Sequence, residues 1–190
     1  HKKIPNIFTF ISKFKKNEVL NLNKEVGIIF RDYEKKYNKY KIIEARDFCK
    51  QNKRKFYLAN DIKLAINLNL DGAYIPSFNK NLGIQKYNIK KKFLILGSAH
   101  NILEMRIKEK QRAKLIFVSP LFQTKEYKKK LGVIKFNILS RLCKEKIIAL
   151  GGINKKNINK LKMTNAYGFS GISYFQNKFY KWVKKIYLNK

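Results

Sequence analysis

The chain has 190 residues and carries 44 Lys and Arg against 12 Asp and Glu, a formal net charge of +32. With 45% hydrophobic residues, a chain of this length supports one buried core. That excludes an intrinsically disordered chain, and no apolar run is long enough to span a bilayer, so no membrane partner is expected. 

The charge itself excludes less than it suggests. Of the basic residues 38 are Lys and only 6 are Arg, and Lys, Asn and Ile together make 82 of 190. An A/T-rich coding bias raises all three at once, whereas a surface selected for phosphate and base edges favours clustered Arg. The lysines are spread along the whole chain. No specific nucleic-acid partner is therefore expected, only salt-sensitive nonspecific attraction. The first ten residues, HKKIPNIFTF, lack the apolar core and small-residue cleavage site of a secretion signal. His1 stands where Met would, so a few residues are expected to have been trimmed from the start. Cys49 and Cys143 form no CxxC and no disulfide framework, and both are expected to be reduced in a cytoplasmic protein.

Short apolar, β-branched or aromatic runs recur along the chain and predict eight strands, at 7–11, 27–31, 56–59, 73–75, 93–97, 115–118, 147–150 and 167–172. Amphipathic stretches alternate with them. Ile42, Ile43, Ala45, Phe48 and Cys49 form one stripe at helical spacing. Ile102 with Met105 starts another, Ile134, Ile138 and Leu142 mark a third, and Ile158 with Leu161 a fourth. Around 82–88 the helix must be abbreviated or replaced by a loop. In the last segment Phe179, Trp182, Val183, Ile186 and Tyr187 share a face opposite Lys181, Lys184 and Lys185. This reads as a closing barrel helix, the alternative being a helix lying on a membrane surface. None of the strands pairs as a period-2 hairpin. The pattern predicts a single-domain (βα)8 TIM barrel over residues 1–190, short for its kind, with an open doubly wound sheet as the alternative.

Such barrels build their sites where the strands end, and there Arg31, Asn60, Asp61, Ser77, Asn79, Ser98, His100, Thr124, Gly151, Gly152 and Ser173 collect on one rim. In ALGGIN, residues 149–154, an apolar strand runs into two glycines and a helix start marked by Asn154. Bare amides at the positive end of that helix suit an anion, so a small phosphorylated ligand is expected; otherwise the glycines only make a tight turn. Asp61 is either a metal ligand or the cap of the next helix. Arg31 is either a phosphate clamp or the partner of Asp32 or Glu34. His100 caps or packs at the start of a helix, the alternative being a general base. GxxxxGK[ST], GxGxxG and HExxH are all absent.

The ordered segments YLANDIKLAINLNLDGAYIP, LGSAHNILE, VSPLFQTKEYKKKLG, IIALGGINKKNINKL and GFSGISYF resemble the thiamine phosphate synthase and TenI-like barrels, most closely a shortened TenI-like branch. The resemblance implies that hydroxymethylpyrimidine diphosphate and thiazole phosphate are joined with loss of pyrophosphate, assisted by Mg²⁺. It implies that Arg31, Asn60 and Ser98 are catalytic and bind the pyrimidine diphosphate, and that Asp61 holds the metal. Thr124, Gly151, Gly152, Ile172 and Ser173 are implied to hold the thiazole phosphate. The alternative is a non-catalytic or TenI-like barrel that binds a phosphorylated metabolite; a homodimer is also expected. Departures from the family pattern are specific. Ser77 or Asn79 stands where a second metal carboxylate belongs, Tyr33 where a lysine belongs, and Ile29 where a glutamine belongs. In the sixth loop Glu126 and Tyr127 stand where a threonine and a lysine belong, with Lys125 or Lys128 as substitutes. Pro120 replaces the histidine of TenI-type isomerases.

Overall fold

The computed structural model describes residues 4–33, 38–124 and 129–171. Eight parallel strands close into a barrel in sequence order. They are β1 (Ile7–Ile11), β2 (Gly27–Phe30), β3 (Phe56–Ala59), β4 (Gly72–Ile75), β5 (Leu94–Ala99), β6 (Leu115–Val118), β7 (Lys146–Leu150) and β8 (Gly168–Ser170). Between them lie α1 (Lys16–Asn21), α2 (Lys39–Gln51), α3 (Ile62–Asn67), α4 (Ile102–Lys110) and α5 (Gly132–Leu142). Two 3₁₀ turns, Gly83–Lys86 and Ile158–Met163, replace the helices after β4 and β7. The expected TIM barrel is therefore present, and the shortening falls partly where it was expected, at 82–88.

Each strand is buried on both faces, which is why the runs read as continuous apolar segments rather than alternating ones. Alternate residues nevertheless serve different cores. Phe8, Phe10, Ile29, Tyr57, Tyr74, Leu96, Phe117 and Ile148 meet inside the ring, while Ile28, Phe30, Phe56, Leu58 and Ala73 pack outward with Ile42, Ala45 and Cys49 of α2. The interior is filled with rings. Phe117 meets Phe8 at 5.1 Å, Tyr74 at 5.5 Å and Phe10 at 6.0 Å between centroids, all in edge-on contacts.

One helix face differs from the sequence reading. Phe136 and Leu139 are the buried residues of α5, whereas Ile134, Ile138 and Leu142 are 80%, 54% and 50% exposed. Both sets lie at helical spacing on one apolar helix, and periodicity alone does not say which stripe meets the barrel. Cys49 is buried and Cys143 partly so, both as free thiols, and burial pushes them up to about 12 and about 11. Among the described residues no helix is long and apolar enough to cross a membrane. The segment from Phe179 to Tyr187 lies outside the described residues.

Candidate functional site

All eight strands point the same way, so their C-terminal ends form one rim, and the described candidates are found there. The Arg31 amide continues the ladder by donating to the Ile11 carbonyl at 2.8 Å. Its guanidinium lies over the Phe10 ring at 4.8 Å and near the Tyr33 ring at 5.8 Å. Tyr33 in turn meets Phe78 edge-on at 5.2 Å. Burial raises the Tyr33 hydroxyl above its ordinary value, and the charge and hydrogen bond of Arg31 pull it the other way. The expected positive group is thus set in an aromatic cluster at the mouth, with Phe10 reaching up from the interior. Glu34, one of its alternative partners, lies outside the described residues.

Asn60 follows β3 with a positive φ of 58°, a conformation that asparagine tolerates better than most residues. Its amide donates to the Tyr74 carbonyl at 2.8 Å, and its Oδ1 accepts from Asn79 Nδ2 at 2.7 Å. Asp61 is the cap of α3, where its Oδ1 accepts from the Leu64 amide at 3.0 Å. Ser98 is buried on β5 and hydrogen-bonds the Tyr74 hydroxyl, whose pKa burial raises above the ordinary tyrosine range. His100 packs at the start of α4, and the cap is Asn101. Its amide and Nδ1 both meet Glu104 Oε2, at 2.8 and 2.9 Å, beside the Asn101 cap of α4.

The glycine pair after β7 is a packed turn. Gly151 and Gly152 have φ of +91° and +68°, and a Cβ on Gly152 would lie 2.5 Å from the Phe122 carbonyl oxygen. The turn is tied to the loop after β6 by Leu121 N–H to Leu150 O at 2.8 Å and Phe122 N–H to Gly151 O at 3.1 Å. Asn157 Nδ2 donates to Gly152 O at 2.7 Å, and Asn157 Oδ1 accepts from the Asn154 amide at 2.8 Å. This corrects one expectation. Asn154 does not start a helix; the next helical residues are the six of the 3₁₀ segment Ile158–Met163, so the argument from a helix dipole carries nothing here. Leu150 pairs with Ser170, which puts the turn beside the exit of β8. Thr124 is the last described residue before positions 125–128 of the sixth loop. Ile172, Ser173 and the sixth-loop residues Lys125, Glu126, Tyr127 and Lys128 lie outside the described residues.

Magnesium needs carboxylates, usually one or two from the protein. Among the described residues no three His, Cys, Asp or Glu side chains come together as a metal-binding group. Asp61 is engaged with α3, and at the place of the second carboxylate stands Ser77, which is not a carboxylate, or Asn79, which gives its amide to Asn60. These residues do not fit the two-carboxylate site that the resemblance implies.

Two residues escaped the sequence reading. Lys108 and Gln111 are both 0% exposed, and both bond to the loop after β4. A lysine in a charged helical stretch reads as surface. The available signal was Gly97, where a Cβ would lie 2.8 Å from Lys108 Cδ, so that glycine makes room for the lysine stem.

A family model described as thiamine monophosphate synthase matches residues 20–175. A putative thiamine-phosphate synthase 2 of Aquifex aeolicus is 27% identical over 134 residues, 70% of this chain and 72% of that protein. A thiamine-phosphate synthase of Helicobacter pylori strain J99 is 27% identical over 138 residues, covering 69% and 60%. One of Methanococcus vannielii is 30% identical over 132 residues, covering 65% and 64%. The aligned part of this chain thus spans less than two thirds of the second and third of these relatives. Among solved structures, a thiamine phosphate pyrophosphorylase from Pyrococcus furiosus superposes with a TM-score of 0.74 at 17% identity, covering 97% of both chains. A 3-hexulose-6-phosphate synthase from Salmonella typhimurium gives 0.72 at 10% identity, covering 96% and 98%. At those identities the structures speak for the barrel alone.

Proposed function

The chain belongs to the thiamine monophosphate synthase family, and we propose that it joins hydroxymethylpyrimidine diphosphate to thiazole phosphate with release of pyrophosphate. The bond between the pyrimidine methylene and the diphosphate oxygen breaks, its electron pair leaving with pyrophosphate. The thiazole nitrogen supplies the pair for the new C–N bond. Such a step needs stabilisation of the departing charge more than a strong base. In this reading Arg31 and Asn60 face the diphosphate, Ser98 the pyrimidine, and Thr124, Gly151, Gly152, Ile172 and Ser173 the thiazole phosphate. The fixed guanidinium of Arg31 opposes the charge that builds on the leaving oxygen, and the buried rings beneath it exclude water. One observation carries the reading: Arg31, Asn60, Ser98, Thr124, Gly151 and Gly152, the described residues that the resemblance implies for this chemistry, follow strand ends on a single rim. A cytoplasmic location and a homodimer belong to the same proposal.

The test is pyrophosphate release and thiamine phosphate formation by the purified chain with both substrates, in magnesium and in chelator. Formation of both products is expected, with loss on Arg31→Ala. A folded chain that releases no pyrophosphate under either condition refutes the synthase reading. The second reading is a barrel that binds thiazole phosphate without turnover, and the observation favouring it is Ser77 or Asn79 where the resemblance implies a carboxylate. Thermal stabilisation by thiazole phosphate alone, with no product from the pair, selects it.

A further inference from the structure

The loop after β4 is held by two side chains from the end of α4, Lys108 and the C-cap residue Gln111. Lys108 Nζ donates to Pro76 O and Asn79 O at 2.7 Å each and to Gln111 Oε1 at 2.8 Å. An ammonium has three donors, and all three are used. Because a lysine only donates, Gln111 must turn its oxygen to it. Gln111 Nε2 then faces the loop and donates to Asn79 O at 3.0 Å and Asn81 O at 2.8 Å.

The hydrogen bonds continue outward to the rim. The Asn81 amide donates to Asn79 Oδ1 at 3.0 Å, and a backbone N–H has only that role, so the Asn79 carboxamide is fixed with its nitrogen toward Asn60. Asn60 answers with Oδ1 at 2.7 Å. Its oxygen is thereby turned to the loop, and its NH₂ is the group left to offer a ligand. The orientation of both amides follows from donors that cannot reverse.

We propose that Lys108 and Gln111 are positioning residues that fix loop 76–81, so that Asn79 orients Asn60 to donate N–H to an anionic phosphate oxygen without a divalent cation. This rests on the reading of Asn60 as a diphosphate contact. The departure at Asn79 is then a change of chemistry. A carboxylate there would accept and recruit a metal, whereas the amide donates and commits Asn60 to the anion. The buried cation, 0% exposed, supplies positive charge beneath a loop that would otherwise have been held by metal coordination.

The probe is inorganic pyrophosphate, with binding measured by calorimetry on the full chain in chelator and in magnesium. The wild type is expected to bind equally well in both. Asn79→Asp presents an acceptor to Asn60 and restores a carboxylate; its affinity is expected to fall about tenfold in chelator and to recover with magnesium. Lys108→Met is expected to weaken pyrophosphate about tenfold and to speed amide hydrogen exchange at 77–81, while thiazole phosphate affinity stays unchanged. That split separates positioning from general destabilisation. If Lys108→Met does not fold, Asn79→Asp alone decides. A wild type that binds pyrophosphate only with magnesium, or an Asn79→Asp variant indistinguishable from it, overturns the proposal. Metal-free binding as expected, with no product from the two substrates, leaves this inference standing and refutes the synthase reading instead.

Discussion

Replacing Gly152 with Ala tests how the turn after β7 is built, and Gly132 provides the control. Both glycines have positive φ, +68° and +70°. They differ in surroundings. A Cβ on Gly132 meets nothing within 4 Å, whereas one on Gly152 would press on the carbonyl oxygens of Phe122 and Gln123. Gly132→Ala therefore isolates the left-handed penalty, about 1–2 kcal/mol. Gly152→Ala adds the misfit of a methyl against backbone that is itself hydrogen-bonded, roughly 1–3 kcal/mol more. For a chain of this size each kcal/mol lowers Tm by about 2–4 °C, so the two variants should separate by roughly 2–12 °C. Urea titration of wild type and both variants gives the free energies, and the slopes should agree if the denatured states are alike. Thiazole phosphate binding, measured in parallel, should weaken for Gly152→Ala and not for Gly132→Ala. A Gly152→Ala protein no less stable than Gly132→Ala refutes the packing described for the turn.

Two further predictions concern charge. Burial pushes the Lys108 ammonium down to about 8 from an ordinary 10.5, with Glu104 acting the other way. Above pH 8 the folded chain releases that proton while the unfolded chain still holds it, so wild type should gain stability over Lys108→Met as pH rises from about 8 toward 10. The slope is bounded by about 1.4 kcal/mol per pH unit, and denaturant titrations at pH 7, 8, 9 and 10 measure it; a difference that does not change with pH refutes the burial argument. The net charge of +32 should give RNA binding that weakens steeply between roughly 50 and 200 mM salt. A sequence-preferring complex that survives at the higher salt would contradict the assignment of the charge to genome composition.

The strands were legible because a parallel strand buried on both faces is a short apolar run, and β1, β3 and β6 have the expected bounds. Errors fell at ends, where Arg31 and Tyr167 lie one residue outside the strand bounds although each amide still donates to a carbonyl of the neighbouring strand. The rim followed from the strands, since order and direction put every strand end together. What lay beyond reach depended on partners distant in sequence. Asn60 and Asn79 are 19 residues apart, and nothing local tells an asparagine that accepts from one that donates. Lys108 hid for a different reason: its core-facing position contradicts its polarity, and only its carbonyl acceptors resolve the conflict. The α5 stripe failed because two apolar faces competed for one barrel.

The aromatic filling of the barrel has an effect that reaches past stability. Phe10 touches Phe117 and Tyr74 below and carries the Arg31 guanidinium above, so the same ring that plugs the lumen sets the height of a charge at its entrance. Substitutions deep in the plug are thereby transmitted to the mouth as a displaced electrostatic field, which ties drift in the interior to whatever anion the entrance receives.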